Sequence, residues 1–244
     1  MLGAKPAILI IMKPTKLFLT CEHATNNVPD SYLDLFNKNK EVLATHRAID
    51  FGAIEIANQI ASTFNCELTK AEVTRLLIDC NRSLNNANCF SEFSNELSVI
   101  DKEQLTNSYY VPYREKVENL IKSHITNGHQ VLHISCHSFT PVFNGIKRNA
   151  GIGLLYDPKH HGEKEVAREW QRVLSEQTDY RVRVNYPYSG KSDGFTTYLR
   201  KKFAEKDYLG IELEINQDLV KDKSSIETMA NEISNSLSEL LELI

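Results

Sequence analysis

Four short apolar runs in this chain each break off at ionisable residues, and this pattern constrains the fold more than any other feature. Leu17-Phe18-Leu19 leads into Glu22 and His23, Val73 to Ile78 into Asp79, and Val131 to Cys136 into His137. From Tyr208 to Gln217, Ile211, Leu213 and Ile215 alternate with Glu212 and Glu214. Runs of this length read as strands, buried on both faces where they are continuous and on one face where they alternate. Gly151–Tyr156 and Tyr180–Val184 add two more. Between them the apolar period becomes helical. A helix from about Thr45 carries Ile49, Ala53, Ile56, Ala57, Ile60 and Phe64. A second spans Pro112 to Thr126 and closes at Asn127-Gly128. Gly162–Gln177 and Ser224–Leu243 are the others, while 85–105 is polar and reads as an exposed loop. With no repeat, linker or break in composition, the order predicts one α/β domain over residues 1–244, a three-layer α/β/α sandwich around a mixed, twisted sheet.

Composition narrows the function. The chain has 244 residues, 41% hydrophobic and 25% charged, ample for a core. A net charge of −4 supplies no basic field, so nucleic acid is not an expected partner. Five cysteines, odd in number and without a CxxC pair, point to a reducing, cytoplasmic setting. Ala7–Met12 is apolar but too short for a signal core or a membrane span. Residues 1–13 read as a disordered or non-native extension, and no membrane partner is expected. Nothing in the sequence fixes an oligomeric state.

In open α/β sheets, ligands bind outside the carboxyl ends of the strands. His23 and His137 each sit at such an end. Either alone reads equally well as a capping histidine, but two histidines at two strand ends are a common way to assemble a zinc site. His133, in mid-strand, reads as a hydrogen-bonded core residue. His46 and Asp50 are four apart near a helix start and would share a face; acids favour helix starts anyway, but Asp50 adjoins the apolar stripe. Arg75, Asn81 and Arg82 offer two planar forks and a neutral donor, suited to a carboxylate, with a loop salt bridge to Asp79 as the plainer reading. Glu212 and Glu214 are also what ordinary amphipathicity on an edge strand would give. The loop Asn185–Gly194 is rich in Gly and Tyr and could cover a site.

Taken in order, Cys21-Glu22-His23-Ala24, His46-Arg47-Ala48-Ile49-Asp50-Phe51-Gly52-Ala53, Thr74-Arg75 to Asn81-Arg82, Cys136-His137-Ser138, Asn185-Tyr186-Pro187-Tyr188-Ser189 and Glu214-Ile215-Asn216-Gln217-Asp218-Leu219 resemble the N-formylglutamate amidohydrolase family across nearly the whole chain. A more distant likeness is to zinc carboxypeptidases and aspartoacylases, which implies a zinc-exopeptidase-like sheet. The resemblance implies one zinc ion on His23 and His137, Glu214 as general base, and Arg75 or Arg82 at the developing oxyanion. It assigns Asn81, Arg82, Tyr188 and Ser189 to substrate binding. Those distant relatives take a third ligand from a glutamate three residues after the first histidine. Asn26 stands there, so Asp50 is the expected third ligand and Glu22 the alternative; Glu22 or Glu212 would take the second nitrogen of a ligand histidine.

The implied activity is hydrolysis of a small N-acyl amino acid, with N-formyl-L-glutamate closest. Lys191 would suit an acidic substrate. The alternatives are a non-catalytic carboxylate-binding module, a related N-acyl amino acid deacylase and, last, an esterase using Ser135 or Ser138, for which no G-x-S-x-G elbow exists.

Overall fold

The computed structural model describes residues 13–244, so the apolar stretch Ala7–Met12 lies outside the described residues. The strands are β1 (Thr15–Cys21), β2 (Leu68–Lys70), β3 (Gln130–Phe139), β4 (Val142–Phe143), β5 (Ile146–Lys147), β6 (Ile152–Leu155), β7 (Val182–Val184) and β8 (Tyr208–Asn216). Six form one sheet in the order β2-β1-β3-β8-β6-β7, while β4 and β5 make a separate hairpin. The pairs β1–β2, β1–β3, β3–β8 and β6–β7 are parallel and β6–β8 is antiparallel, so the sheet is mixed.

Alternation along the strands sorts the two faces. Leu17, Leu19, Leu132, Ile134, Ile211 and Leu213 pack against α1 (Ala53–Phe64), α4 (His161–Gln177) and α6 (Lys223–Leu243). Phe18, Val131 and Tyr208 turn the other way, toward α3 (Val111–Thr126) and α5 (Phe195–Lys202). This second face also carries Thr20, His133, Ser135 and His137, all buried. His133 is held between Thr20 Oγ1 at 2.8 Å and the Tyr208 hydroxyl at 2.7 Å, and burial pushes its pKa down to about 4. It is a neutral, hydrogen-bonded core residue. The α/β/α sandwich is as expected, and no helix among the described residues is long and apolar enough to cross a membrane.

The structure departs from the local readings in five places. Val73–Ile78 is not a strand: Val73, Leu76, Leu77 and Ile78 are buried, but the backbone turns. Side chains satisfy part of that segment, since Ser91 and Ser94 both donate to the Leu76 carbonyl. The first helix begins at Ala53, not Thr45, because Gly52 takes φ +76° and breaks any helix there; the turn before it places Asp50. Segment 85–105 ends in α2 (Val99–Leu105), started by the Ser98 side chain accepting from the Asp101 amide. β8 lies between β3 and β6, not at an edge, so its acidic face is interior. β2, the β4–β5 hairpin and α5 had no reading in the sequence, all being too short for periodicity to reveal.

A buried ion pair ties the two helical layers together. Arg200 Nε donates to Glu163 Oε1 at 2.8 Å, while Nη1 reaches the Gly190 carbonyl and Nη2 the Gly210 carbonyl. Glu163 accepts in turn from the amides of Asp157 and Gly210. One pair thus joins α4, α5, β8 and the loop bearing Tyr188. Arg200→Met leaves Glu163 buried without its counter-ion, and the expected cost is about 3–5 kcal/mol. Urea unfolding measures it; a loss within ~0.5 kcal/mol would mean that Glu163 finds another partner.

Candidate active site

The chain runs from β1 through α1 to β2 on one side, then crosses back through α3 to β3 on the other. The crevice at the carboxyl ends of β1 and β3 is therefore a topological switch point, where such sheets bind ligands. His23 lies two residues beyond β1 and His137 near the end of β3, directly across from Glu214 of β8. Asp50 is brought in by its turn, its amide donating to the His23 carbonyl at 3.1 Å. A cleft of about 250 Å³ opens on these groups.

The donors converge. Asp50 Oδ2 lies 3.2 Å from His23 Nδ1 and 2.9 Å from His137 Nδ1. One donor atom from each residue falls within 4.8 Å of the others, and all three residues are buried. The far nitrogens are also engaged: His23 Nε2 lies 2.9 Å from Asp79 Oδ1, and His137 Nε2 lies 3.2 Å from Glu22 Oε2. Glu22 is fixed by the Tyr113 hydroxyl at 2.7 Å and the Ser135 hydroxyl at 2.6 Å.

This network assigns the tautomers. Each Nε2 carries its proton toward a carboxylate, so each Nδ1 lone pair faces the Asp50 carboxylate. Acceptors turned on one another repel unless a cation or an extra proton lies between them. A divalent ion fits this donor set, with two imidazole nitrogens, one carboxylate oxygen, and carboxylates behind both histidines. Without a metal the same geometry attracts a proton. Burial would lower the His137 pKa, but the hydrogen bonds and charges of Asp50 and Glu22 raise it well above the ordinary value. Burial likewise pushes Asp50 up, but the Arg75 and His23 charges outweigh it and hold the carboxyl well below its usual range. Asp79, also buried, is brought down to about 2, chiefly by His23.

Glu214 is different. Burial pushes its pKa up to about 8, and Oε2 has no hydrogen-bond partner. It lines the cleft beside the donors. Glu212 also lines the cleft but accepts from the Thr196 hydroxyl. Of the two glutamates, only Glu214 is uncommitted.

The remaining expected residues divide. Arg75 Nη2 donates to Asp50 Oδ1 at 2.8 Å, Nε to the Arg47 carbonyl at 2.9 Å, and Nη1 lies 2.9 Å from His23 Nδ1. Asn81 accepts from the Phe195 amide at 2.7 Å, and its Nδ2 lies 3.3 Å from His137 Nε2, a packing contact because both nitrogens are donors in this tautomer. Arg82 donates to the carbonyls of Asn81 and Asp193. Arg75, Asn81, Arg82, Tyr188 and Ser189 all line the cleft. Lys191 is exposed and is not among the lining residues. His46 lines the cleft but shares no helix face with Asp50, since both precede α1. Glu22 lies behind His137 and is not one of the three converging donors. Asp79 was read only as a possible partner of the arginines; its pairing with His23 depends on the turn that replaces the expected strand. Ser135 lies 3.0 Å from His137 Nε2, a Ser-His-Asp spacing, but it is buried outside the cleft and donates to Glu22.

These features define a class: an α/β protein whose buried imidazoles and carboxylate, open to a cleft, suit a metal ion. Comparison with known proteins gives the family. The family model described as N-formylglutamate amidohydrolase matches residues 15–221, and the chain belongs to that family. It is similar in structure to gene product Atu2144 from Agrobacterium tumefaciens, with a TM-score of 0.81 and 26% identity over 94% of this chain and 92% of that one. It also has the fold of an N-formylglutamate amidohydrolase from Ralstonia eutropha JMP134, with a TM-score of 0.71 and 16% identity over 95% of this chain and 94% of that one. No curated protein matches the chain by sequence.

The raised Glu214 pKa carries a sign that can be measured in metal-depleted protein. A carboxyl at 4.5 unfolded and about 8 folded holds its proton in the folded state, so stability falls as pH rises through that window. Glu214→Gln has no proton to lose. Its melting temperature relative to wild type should therefore rise between pH 5 and pH 9; a difference independent of pH would place the Glu214 pKa near normal.

Proposed function

We propose that this chain is a zinc-dependent amidohydrolase that cleaves a small N-acyl amino acid, N-formyl-L-glutamate to formate and L-glutamate. The observation that carries the reading is the convergence of His23 Nδ1, His137 Nδ1 and Asp50 Oδ2 beside an unpartnered Glu214. His23, Asp50 and His137 would hold the ion, which when bound supplies an acidified water and polarises the acyl carbonyl. Glu214 takes the proton of the attacking water and delivers it to the departing amine. Arg75, fixed against Asp50, faces the developing oxyanion. Arg82 and the Asn81 amide hold the α-carboxylate, with Tyr188 and Ser189, which line the same cleft, completing the substrate contacts. All five cysteines are free thiols, which supports a cytoplasmic setting.

His137→Ala should lose both bound zinc and hydrolysis, read by elemental analysis and by amine release. Glu214→Gln should keep the metal and lose about 10²–10⁴-fold in kcat. Glu22→Gln and Asp79→Asn should each weaken metal affinity by about 10–100-fold. Retained turnover in His137→Ala would refute this mechanism. Metal binding with no turnover on any N-acyl amino acid would leave the chain a binding module. Ser135→Ala tests the esterase reading and should stay within about tenfold of wild type. A panel of N-acyl amino acids identifies the substrate; equal rates on amides without a carboxylate would remove the arginine grip.

A further inference from the structure

Three arginines stand at or beside the cleft, and among the described residues only Arg75 of the three is ion-paired with a carboxylate. Arg75 is paired with Asp50. Arg82 is only partly buried and donates to the carbonyls of Asn81 and Asp193, while the Asp193 carboxylate is held by Ser83 and Asn86. Arg148 is about nine-tenths buried, and among the described residues no carboxylate lies within ion-pair distance of it. Its Nη1 donates only to Thr140, at 3.3 Å to the carbonyl and 3.2 Å to the hydroxyl. The rest of the guanidinium is packed on rings, 4.7 Å from the centroid of Phe143, 4.8 Å from Tyr188 and 5.7 Å from Phe139. Arg148 is not itself among the lining residues, but Phe139, Thr140, Phe143 and Tyr188, which it touches, all are.

Burying a cation without a counter-ion costs free energy, and stacking on aromatic faces offsets only part of it. The fold nevertheless supports the group with some care. Arg148 closes the β4–β5 hairpin, its amide donating to the Pro141 carbonyl at 2.8 Å. The turn Asn144-Gly145, with φ +49° and +76°, has the left-handed pair that a tight hairpin requires.

Position then indicates which anion would pair with it. Phe139 lies two residues past His137 along β3, about 6.6 Å further on. Arg148 is thus displaced from the metal donors along the strand. Arg82 adjoins Asn81, whose side-chain amide lies against His137 itself. In an N-acyl amino acid with an acidic side chain, the α-carboxylate is on the carbon next to the scissile nitrogen and the side-chain carboxylate is further out. We propose that Arg148 binds the side-chain carboxylate of an acidic amino-acid substrate, with Tyr188 and Phe143 as the aromatic walls of that subsite, and that Arg82 keeps the α-carboxylate. This assignment rests on the N-acyl amino acid reading above and makes the β4–β5 hairpin the element that selects glutamate over glutamine.

The test compares zinc-loaded wild type with Arg148→Met and Arg148→Lys on N-formyl-L-glutamate and on N-formyl-L-glutamine, which has the same shape without the charge. Wild type should prefer the glutamate substrate at least tenfold in kcat/KM. Arg148→Met should remove that preference, through KM more than kcat, while the glutamine substrate stays within about threefold; Arg148→Lys should restore part of it. A parallel fall on both substrates, or no change on either, would overturn the proposal. Calorimetric binding of L-glutamate and L-glutamine to the same proteins separates the two layers of inference. If no N-acyl amino acid is hydrolysed but wild type binds glutamate at least tenfold more tightly and Arg148→Met does not, the reaction assigned above is wrong and the subsite stands. If wild type binds both equally, the subsite is wrong whatever the reaction.

Discussion

Excess buried negative charge is the constraint around which this site is built. Glu22, Asp50, Asp79 and Glu214 are each at most 7% exposed and lie around two imidazoles. Among the described residues Arg75 is the one permanently charged cation bonded directly into the cluster, and the carboxylate it bonds is Asp50. Carboxylates at this depth must pair, protonate or bind a cation. The molecule divides the choices: Asp50 and Asp79 are held ionised, Glu22 is held down by His137 and Ser135 despite its burial, and Glu214 is pushed toward its neutral form. A divalent ion among the Nδ1 atoms would relieve the repulsion and pull Glu214 back toward the ionised form that a base needs.

The sheet makes this affordable because only one of its faces is polar. The face under α1, α4 and α6 is continuous hydrocarbon, from Leu17 and Leu19 to Ile211 and Leu213. At roughly 25 cal/mol per Å² of buried apolar area, that layer supplies a stabilising reserve. The opposite face carries Thr20, His133, Ser135 and His137, and nearly every polar atom in it has a partner. Tyr113 from α3 and Tyr208 from β8 complete the hydrogen bonds that the strands cannot make for themselves. A satisfied buried network is rigid, and rigidity keeps three donors converged where mutual repulsion would spread them.

Much of this was legible in the sequence, for identifiable reasons. Parity places His133, Ser135 and His137 on one face and Glu212 with Glu214, so a single period-2 argument found most of the polar wall. The helices with long apolar stripes, from Pro112, Gly162 and Ser224, appear within two residues of their expected starts. Val73–Ile78 misled because apolar continuity reports burial, not backbone conformation, and a buried turn can have its carbonyls satisfied by serines from a distant loop. Asp50 was chosen on a helix-face argument that the structure replaces with a turn. The residue converges with the histidines, but the physical reason differs. Asp79 and Arg148 were not assigned to a site because their partners, His23 in one case and three aromatic rings in the other, are adjacent only in space.

The third donor shows how such a site can be assembled without a local motif. Two donors come from strand ends, whose positions the ladder fixes: Thr20 pairs with Ser135, and His137 pairs with Glu214. The third comes from a turn, which has no ladder to hold it. Its position is instead set at both ends of a short segment. The Asp50 amide donates to the His23 carbonyl, and the Asp50 carbonyl accepts from the Ala53 amide at 3.2 Å. Gly52 between them takes φ +76°, with space for a Cβ only 2.9 Å from a Val220 methyl. The segment between β8 and α6, which carries Val220, therefore bears on the Asp50 turn through one residue that tolerates no side chain. Arg75 holds the outer oxygen and leaves the inner one for the histidines. A carboxylate held by its backbone at one end and a guanidinium at the other is as constrained as one on a strand, which is how a turn can supply the third donor to a site whose other two lie at strand ends.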